Sequence, residues 1–333
     1  MQHRLALGSP GVLRAMLHLE TGRWKDKAPK PSSLSPVFIC GLARSGSTLL
    51  LNRLVGTGAF STSTYRHMPF VLAPNIWGRA SKKHQKEAAL SERAHGDGMS
   101  HSFDSEEVFK EVLWRAMEGN RRAAMLPWQA KIIASTMAQF RLFMASVVKA
   151  GSGPRYLSKN NNNVVRVPGL LKAAKTAKVL IPFRHPVDFA GSTLSQHQKF
   201  LDRAKESAFD ATYMSWLGHH EFGPLFKPFA APGVAAPKVV DMAYLIEYWI
   251  AVYRALLEID DPRVLFFDYD GFCEAPEETM SALGRALDLD AAPIPPKEVH
   301  PPHEYALGNV LEGRLEVALA LHKELRNRAL GAD

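Results

Sequence analysis

The residues with the clearest chemical potential form one run, Gly41-Leu42-Ala43-Arg44-Ser45-Gly46-Ser47-Thr48-Leu49-Leu50. Gly41 and Gly46 have the spacing of a phosphate loop. Such a loop turns successive backbone N–H groups inward and sets an anion at the positive end of the helix that follows. The hydroxyls of Ser47 and Thr48 would add donors, and Arg44 would add a cation. Loops that hold ATP or GTP carry Lys directly after the second Gly; here Ser47 stands in that place. Without that Lys, and with no evident acidic Mg²⁺ ligand at a strand end, triphosphate transfer lacks its main charge stabilisers. A sulfuryl group carries less negative charge than a phosphoryl group, so its transfer can proceed without a metal.

A second run lies far downstream, Ile181-Pro182-Phe183-Arg184-His185-Pro186-Val187-Asp188-Phe189-Ala190-Gly191-Ser192. Its pattern puts Arg184 at the end of a strand and Ser192 on the next helix. A guanidinium fork and a hydroxyl so placed would pinch one phosphate. Lys159 falls where another strand ends, on the ligand-binding rim of an open sheet. A cation there would stabilise charge developing on a departing phosphate. Asn160 to Asn163 read as turn residues.

These runs resemble the sulfotransferases that use 3′-phosphoadenosine 5′-phosphosulfate (PAPS). Arg44-Ser45-Gly46-Ser47-Thr48-Leu49-Leu50 is similar to their 5′-phosphosulfate loop. The membrane-bound tyrosylprotein and glycan members carry a like Arg-Ser-Gly-Thr-Thr, whereas many small-molecule members have Lys for that Arg. Ile181 to Ser192 resembles the 3′-phosphate motif, and Val264 to Asp270 with the helix from Glu274 resembles the last core strand and its helix. The likeness spans Pro36 to about Leu289. It implies a soluble, bacterial-type sulfotransferase that moves the sulfuryl group of PAPS to an acceptor hydroxyl or amine and releases 3′,5′-ADP. Arg44, Ser45, Gly46, Ser47 and Thr48 would hold the 5′-phosphosulfate, with Arg184 and Ser192 on the 3′-phosphate. Arg44 and Lys159 would act on the transferring group.

The family often places a catalytic Glu after its second strand. That stretch here is Ser63-Thr64-Tyr65-Arg66-His67-Met68-Pro69, without a carboxylate, and His67 is the nearest equivalent. Neutral imidazole, with an unperturbed pKa of about 6.5, suits proton removal near neutral pH. Asp104 and Glu107 have helix-capping spacing, which leaves Glu106 as the rival base. His197 follows Ser192 and reads as part of a polar helix face. Two other readings compete with sulfuryl transfer: a nucleotide kinase or NTPase on a similar fold, and a nucleotide-binding module without turnover.

The elements that must position these residues follow from periodicity. Lys30 to Pro36 reads as a linker, Pro36 to Leu42 as a buried strand, and Leu49 to Leu54 as a helix stopped by Gly56 and Gly58. Further strands fit Arg155–Ser158, Ala177–Phe183 and Arg263–Tyr269. Ile133, Met137, Phe140, Met144 and Val147 mark one buried helix face. The expected fold is α/β: a parallel sheet flanked by helices, of the P-loop NTPase-like sulfotransferase type. A basic arm and linker over 1–35 would precede a single domain over 36–333. That domain has a helical insertion at about 78–152 and a Pro/Gly-rich loop at about 221–237 that covers a substrate site.

Composition bounds the rest. Of 333 residues 46% are hydrophobic and 22% charged, which excludes a disordered tail. The formal charge of +8 suits an anionic ligand; nucleic acid would also suit it, but no nucleic-acid motif is present. The basic arm reads as a solvated extension. Cys40 and Cys273 make no disulfide framework, and no apolar run is long enough to span a bilayer, so a cytoplasmic chain is expected. His219-His220-Glu221 and His300-Pro301-Pro302-His303-Glu304 are clusters without metal-ligand spacing, and no metal is expected. The acceptor class, whether small molecule, glycan, lipid or peptide, is not written in the sequence.

Overall fold

The computed structural model describes residues 2–81, 91–92, 100–101, 111–118, 124–295 and 305–331. Its centre is a parallel sheet of five strands: β1 (Val37–Ile39), β2 (Phe60–Ser61), β3 (Arg155–Lys159), β4 (Lys178–Phe183) and β5 (Val264–Asp268). Their spatial order is β2-β3-β1-β4-β5, so the strand before the glycine loop is central. Ile39 lies in register with Lys159 on one side and Leu180 on the other. Phe183 pairs with Asp268 across β4 and β5. The C-terminal ends of four strands therefore share one rim, where open α/β sheets bind ligands.

A parallel sheet is buried on both faces, and β1 shows how alternation serves that. Val37 and Ile39 pack with Leu50, Leu51 and Leu54 of α3 (Ser47–Val55) and with Met280 and Leu283 of a C-terminal helix, Pro276–Ala286. Phe38 and Cys40 face the larger core, with Phe140 and Met144 of the helix Ala134–Ala150 and Trp249 and Tyr253 of the helix Met242–Leu257. Met137, Phe140, Met144 and Val147 form the expected buried face; Ile133, at the helix N-cap, is instead 57% exposed.

The N-terminal arm is not the solvated extension its charge suggested. It forms α1 (Gln2–Gly8) and α2 (Pro10–Trp24), and Leu7, Leu13 and Leu17 join the main core. Glu20 of α2 is fully buried. Its carboxylate accepts from the backbone N–H groups of Asn75 and Ile76, each at 3.0 Å, in the first turn of α4 (Pro74–Ser81). A remote carboxylate thus satisfies orphan donors at a positive helix end.

Candidate functional site

Two glycines make the loop after β1 possible. A Cβ on Gly41 would lie 2.7 Å from the ring of Pro182 on β4, so only glycine lets the two strand ends approach. Gly46 has φ +86° and is the N-cap of α3, and a Cβ there would lie 2.3 Å from the ring of Tyr269. Arg44 also takes a left-handed conformation, φ +69°. The Ser45 hydroxyl donates to the Leu42 carbonyl at 2.6 Å, so this side chain holds the loop together and leaves only its backbone for a ligand. Ser47 and Thr48 open α3.

The second motif comes to the same place. Arg184 follows the end of β4, and Ser192 lies on a long helix, Pro186–Glu206. The Arg44 Nε donates to the Ser192 hydroxyl at 2.9 Å, across 148 residues of chain. The Arg184 guanidinium lies 3.7 Å from the Asp188 carboxylate and 5.3 Å from the centre of the Tyr269 ring. Its buried Nε has no hydrogen-bond partner among the described residues. Tyr269 therefore packs against both the loop, at Gly46, and the Arg184 side chain.

A carboxylate does stand at a strand end, contrary to the sequence reading. Asp268 closes β5, and Asp268, Asp270 and His322 bring ligand-type atoms together. Protein groups already occupy them: Arg326 Nε lies 2.8 Å from Asp268, and the His185 backbone N–H donates to Asp270 at 2.6 Å. The second contact anchors the turn that carries Arg184.

Lys159, the last residue of β3, is only 7% exposed and its charge acts on Glu221. The asparagines after it turn the chain, as expected, but they are buried and do more. Asn160 Nδ2 donates to Glu111 at 2.9 Å, and Asn162 Nδ2 to the Gly218 carbonyl at 2.9 Å. Asn161 Nδ2 donates to Glu221 Oε1 at 3.0 Å. Beneath them Arg166 grips Glu111 through two bonds of 2.8 and 2.9 Å and lies over the Trp114 ring.

Above this cluster the chain folds back as residues 218–230. Gly218, with φ +79°, leaves room for the Glu111 side chain, and Phe229–Ala230 pairs with Leu126–Pro127. His197, read as part of a polar face, is buried and holds this segment: its Nδ1 accepts from the Gly223 N–H at 3.1 Å. Burial lowers the pKa of the His197 ring. The segment roofs a cavity bordered by Leu42 and Ala43 of the glycine loop, Asn161, Thr193, His220 and Glu221. Burial alone would raise the Glu221 pKa, but the charges of His219 and Lys159 and the hydrogen bond from His219 outweigh it and hold the carboxyl well below its usual range.

His67 sits in a single turn of 3₁₀ helix, Tyr65–His67. Its Nδ1 accepts from the Thr64 backbone N–H at 3.0 Å, so the neutral ring carries its proton on Nε2. Glu106, Asp104 and Glu107 lie outside the described residues, as do His300, His303 and Glu304. The sequence reading weighs Glu221 only as part of a metal cluster, which it rejects, and does not bring it beside Lys159 and Asn161.

A family model described as Sulfotransferase family matches residues 36–221, more than half of the chain. The chain belongs to the sulfotransferase family. Among solved structures it is similar to sulfotransferase STF9 from Mycobacterium avium, at 15% identity and TM-score 0.49, over 95% of this chain and 75% of that one. STF1 from Mycobacterium tuberculosis H37Rv matches at 14% identity and TM-score 0.45, over 98% and 85%. A sulfotransferase from Alicyclobacillus acidocaldarius matches at 16% and 0.40, over 89% and 98%. No curated protein sequence matches significantly.

Proposed function

We propose that this sulfotransferase takes its sulfuryl group from PAPS and passes it to an acceptor hydroxyl or amine, releasing 3′,5′-ADP. The observation that carries the reading is the meeting of the two anion motifs: Arg44 of the loop touches Ser192, and Tyr269 links Gly46 to Arg184. One ligand with two phosphates fits that arrangement. The α3 N-terminus with Ser47 and Thr48 would receive the 5′-phosphosulfate. Arg184 and Ser192 would receive the 3′-phosphate, the unpartnered Arg184 Nε supplying one donor. Arg44 borders both. Lys159, at the rim, would offset charge on the departing phosphate oxygen as the S–O bond breaks.

This chemistry needs no divalent ion, because Arg44 and Lys159 supply the positive charge that Mg²⁺ supplies in triphosphate transfer. The unpaired Cys40 and Cys273 accord with a reducing, cytoplasmic setting. Among the described residues no helix is long and apolar enough to cross a membrane. The test is transfer of label from PAPS to a panel of alcohols, phenols and amines, with EDTA present. Label on an acceptor supports the reading. A strict Mg²⁺ requirement, with ATP as the donor consumed, would replace it with the kinase reading.

A further inference from the structure

We propose that the acceptor hydroxyl enters the cavity under residues 218–230 and that Glu221 takes its proton. This rests on the sulfuryl-transfer reading above and extends it to the second substrate.

The cavity is built for a polar group. Asn161 and Thr193, each 4% exposed, line it. Asn161 Oδ1, Thr193 Oγ1 and the neighbouring His220 Nδ1 are all buried, with no hydrogen-bond partner among the described residues. Buried polar atoms are rarely left unmatched, and three around one cavity point to a hydroxyl-sized guest. The space left, about 20 Å³, is that of one water. It adjoins Leu42 and Ala43 of the loop expected to hold the sulfuryl group, and Thr193 directly follows Ser192.

Glu221 is the anion of this cavity. Asn161 Nδ2 fixes Oε1 at 3.0 Å, and His219 Nδ1 lies 3.3 Å from Oε2, so the carboxylate has one orientation and spare lone pairs. The charged and titratable groups around it are Lys159 from β3, His219, His220 and Lys227 from its own segment, and Tyr248 from the helix Met242–Leu257. A carboxylate held ionised is a weak base toward a resting alcohol. It suffices once the attacking oxygen begins to bond to sulfur, because that oxygen then becomes strongly acidic. The step balances: the acceptor oxygen forms a bond to sulfur, the bridging S–O bond to phosphate breaks, and the electron pair leaves with 3′,5′-ADP. The acceptor proton passes to Glu221 and then to water.

The rest of the lining is mixed: Leu42, Phe189, Phe226, Phe229 and Tyr248 are apolar or aromatic, and Lys227 is a cation. The space admits the reacting hydroxyl alone, so the body of the acceptor would stay outside it.

The experiment compares the unaltered chain with Glu221→Gln and Glu221→Asp. It measures steady-state transfer from PAPS to a phenol and an aliphatic alcohol, and 3′,5′-ADP binding by calorimetry. Glu221→Gln should lower kcat by roughly 10²–10⁴-fold with 3′,5′-ADP affinity kept, and Glu221→Asp should recover part of it. The unaltered enzyme should keep its kcat below pH 6. Near-normal kcat in Glu221→Gln overturns the assignment. So does a rate that falls near pH 6 and is lost in His67→Ala or His220→Gln while Glu221→Gln retains it. Failure of the unaltered chain to bind 3′,5′-ADP overturns the donor reading itself, and this proposal with it.

Discussion

Replacing Arg184 by Ala should remove the preference for a nucleotide phosphorylated on both sides of its ribose. The side chain is 13% exposed, so bulk water screens it little. Its partners are Asp188 at 3.7 Å and the Tyr269 ring, and its Nε is unpartnered. A hydrogen bond to a charged group contributes about 1.5–3 kcal/mol. At about 1.4 kcal/mol per factor of ten, one such contact amounts to roughly ten- to hundredfold in affinity. Asp188 already offsets part of the guanidinium charge, which favours the lower half of that range. Calorimetry with 3′,5′-ADP and 5′-AMP on the unaltered chain and on Arg184→Ala reads the effect directly. The unaltered chain should bind 3′,5′-ADP more tightly than 5′-AMP. The variant should lose roughly tenfold or more for 3′,5′-ADP and hold its 5′-AMP affinity. Arg184→Lys should recover only part, because an ammonium lacks the planar fork. Equal losses for both nucleotides in Arg184→Ala would place Arg184 at the 5′ side and refute the argument.

Gly46→Ala should abolish 3′,5′-ADP binding in calorimetry with the far-ultraviolet circular dichroism kept, since the new methyl meets both a left-handed backbone and the Tyr269 ring. Glu111→Gln should cost about 3–5 kcal/mol in urea unfolding, because it strands the buried Arg166 charge. The His197 pKa is lowered by burial, so the unfolded chain binds that proton more readily than the folded one. Its contribution is therefore full above the unfolded value of about 6.5 and declines as pH falls below it. Urea midpoints should drop between pH 7.5 and 5.5, and His197→Gln should flatten that slope; an unchanged slope counts against the latch on Gly223.

Four of the five strands and the glycines of the loop were legible because their signals are local. β1 alternates between two cores within four residues, and Gly41 and Gly46 make their close approaches where they stand in sequence. What was not legible depends on partners far along the chain. His67 reads as a base from the sequence alone, which does not show the Thr64 N–H on its Nδ1. Glu221 gained its setting from Lys159 and Asn161, some sixty residues earlier. The arm of residues 2–24 reads as basic and solvated because its arginines are exposed, while the leucines that dock it are sparse and the burial of Glu20 depends on the distant Asn75 and Ile76. Ile133 fits the periodicity of its helix but falls at the cap, where the buried stripe has already ended.

Tyr269 would give the proposed donor site a fixed gauge. Its ring packs against Gly46 of the loop and against the Arg184 guanidinium, so a rigid aromatic plate, rather than two flexible arms, would set the gap between the two proposed anion seats. A site of that kind measures the distance between phosphates as well as counting them. An isomer with the same charge and a phosphate moved by one ribose carbon, 2′,5′-ADP, would fill one seat and miss the other.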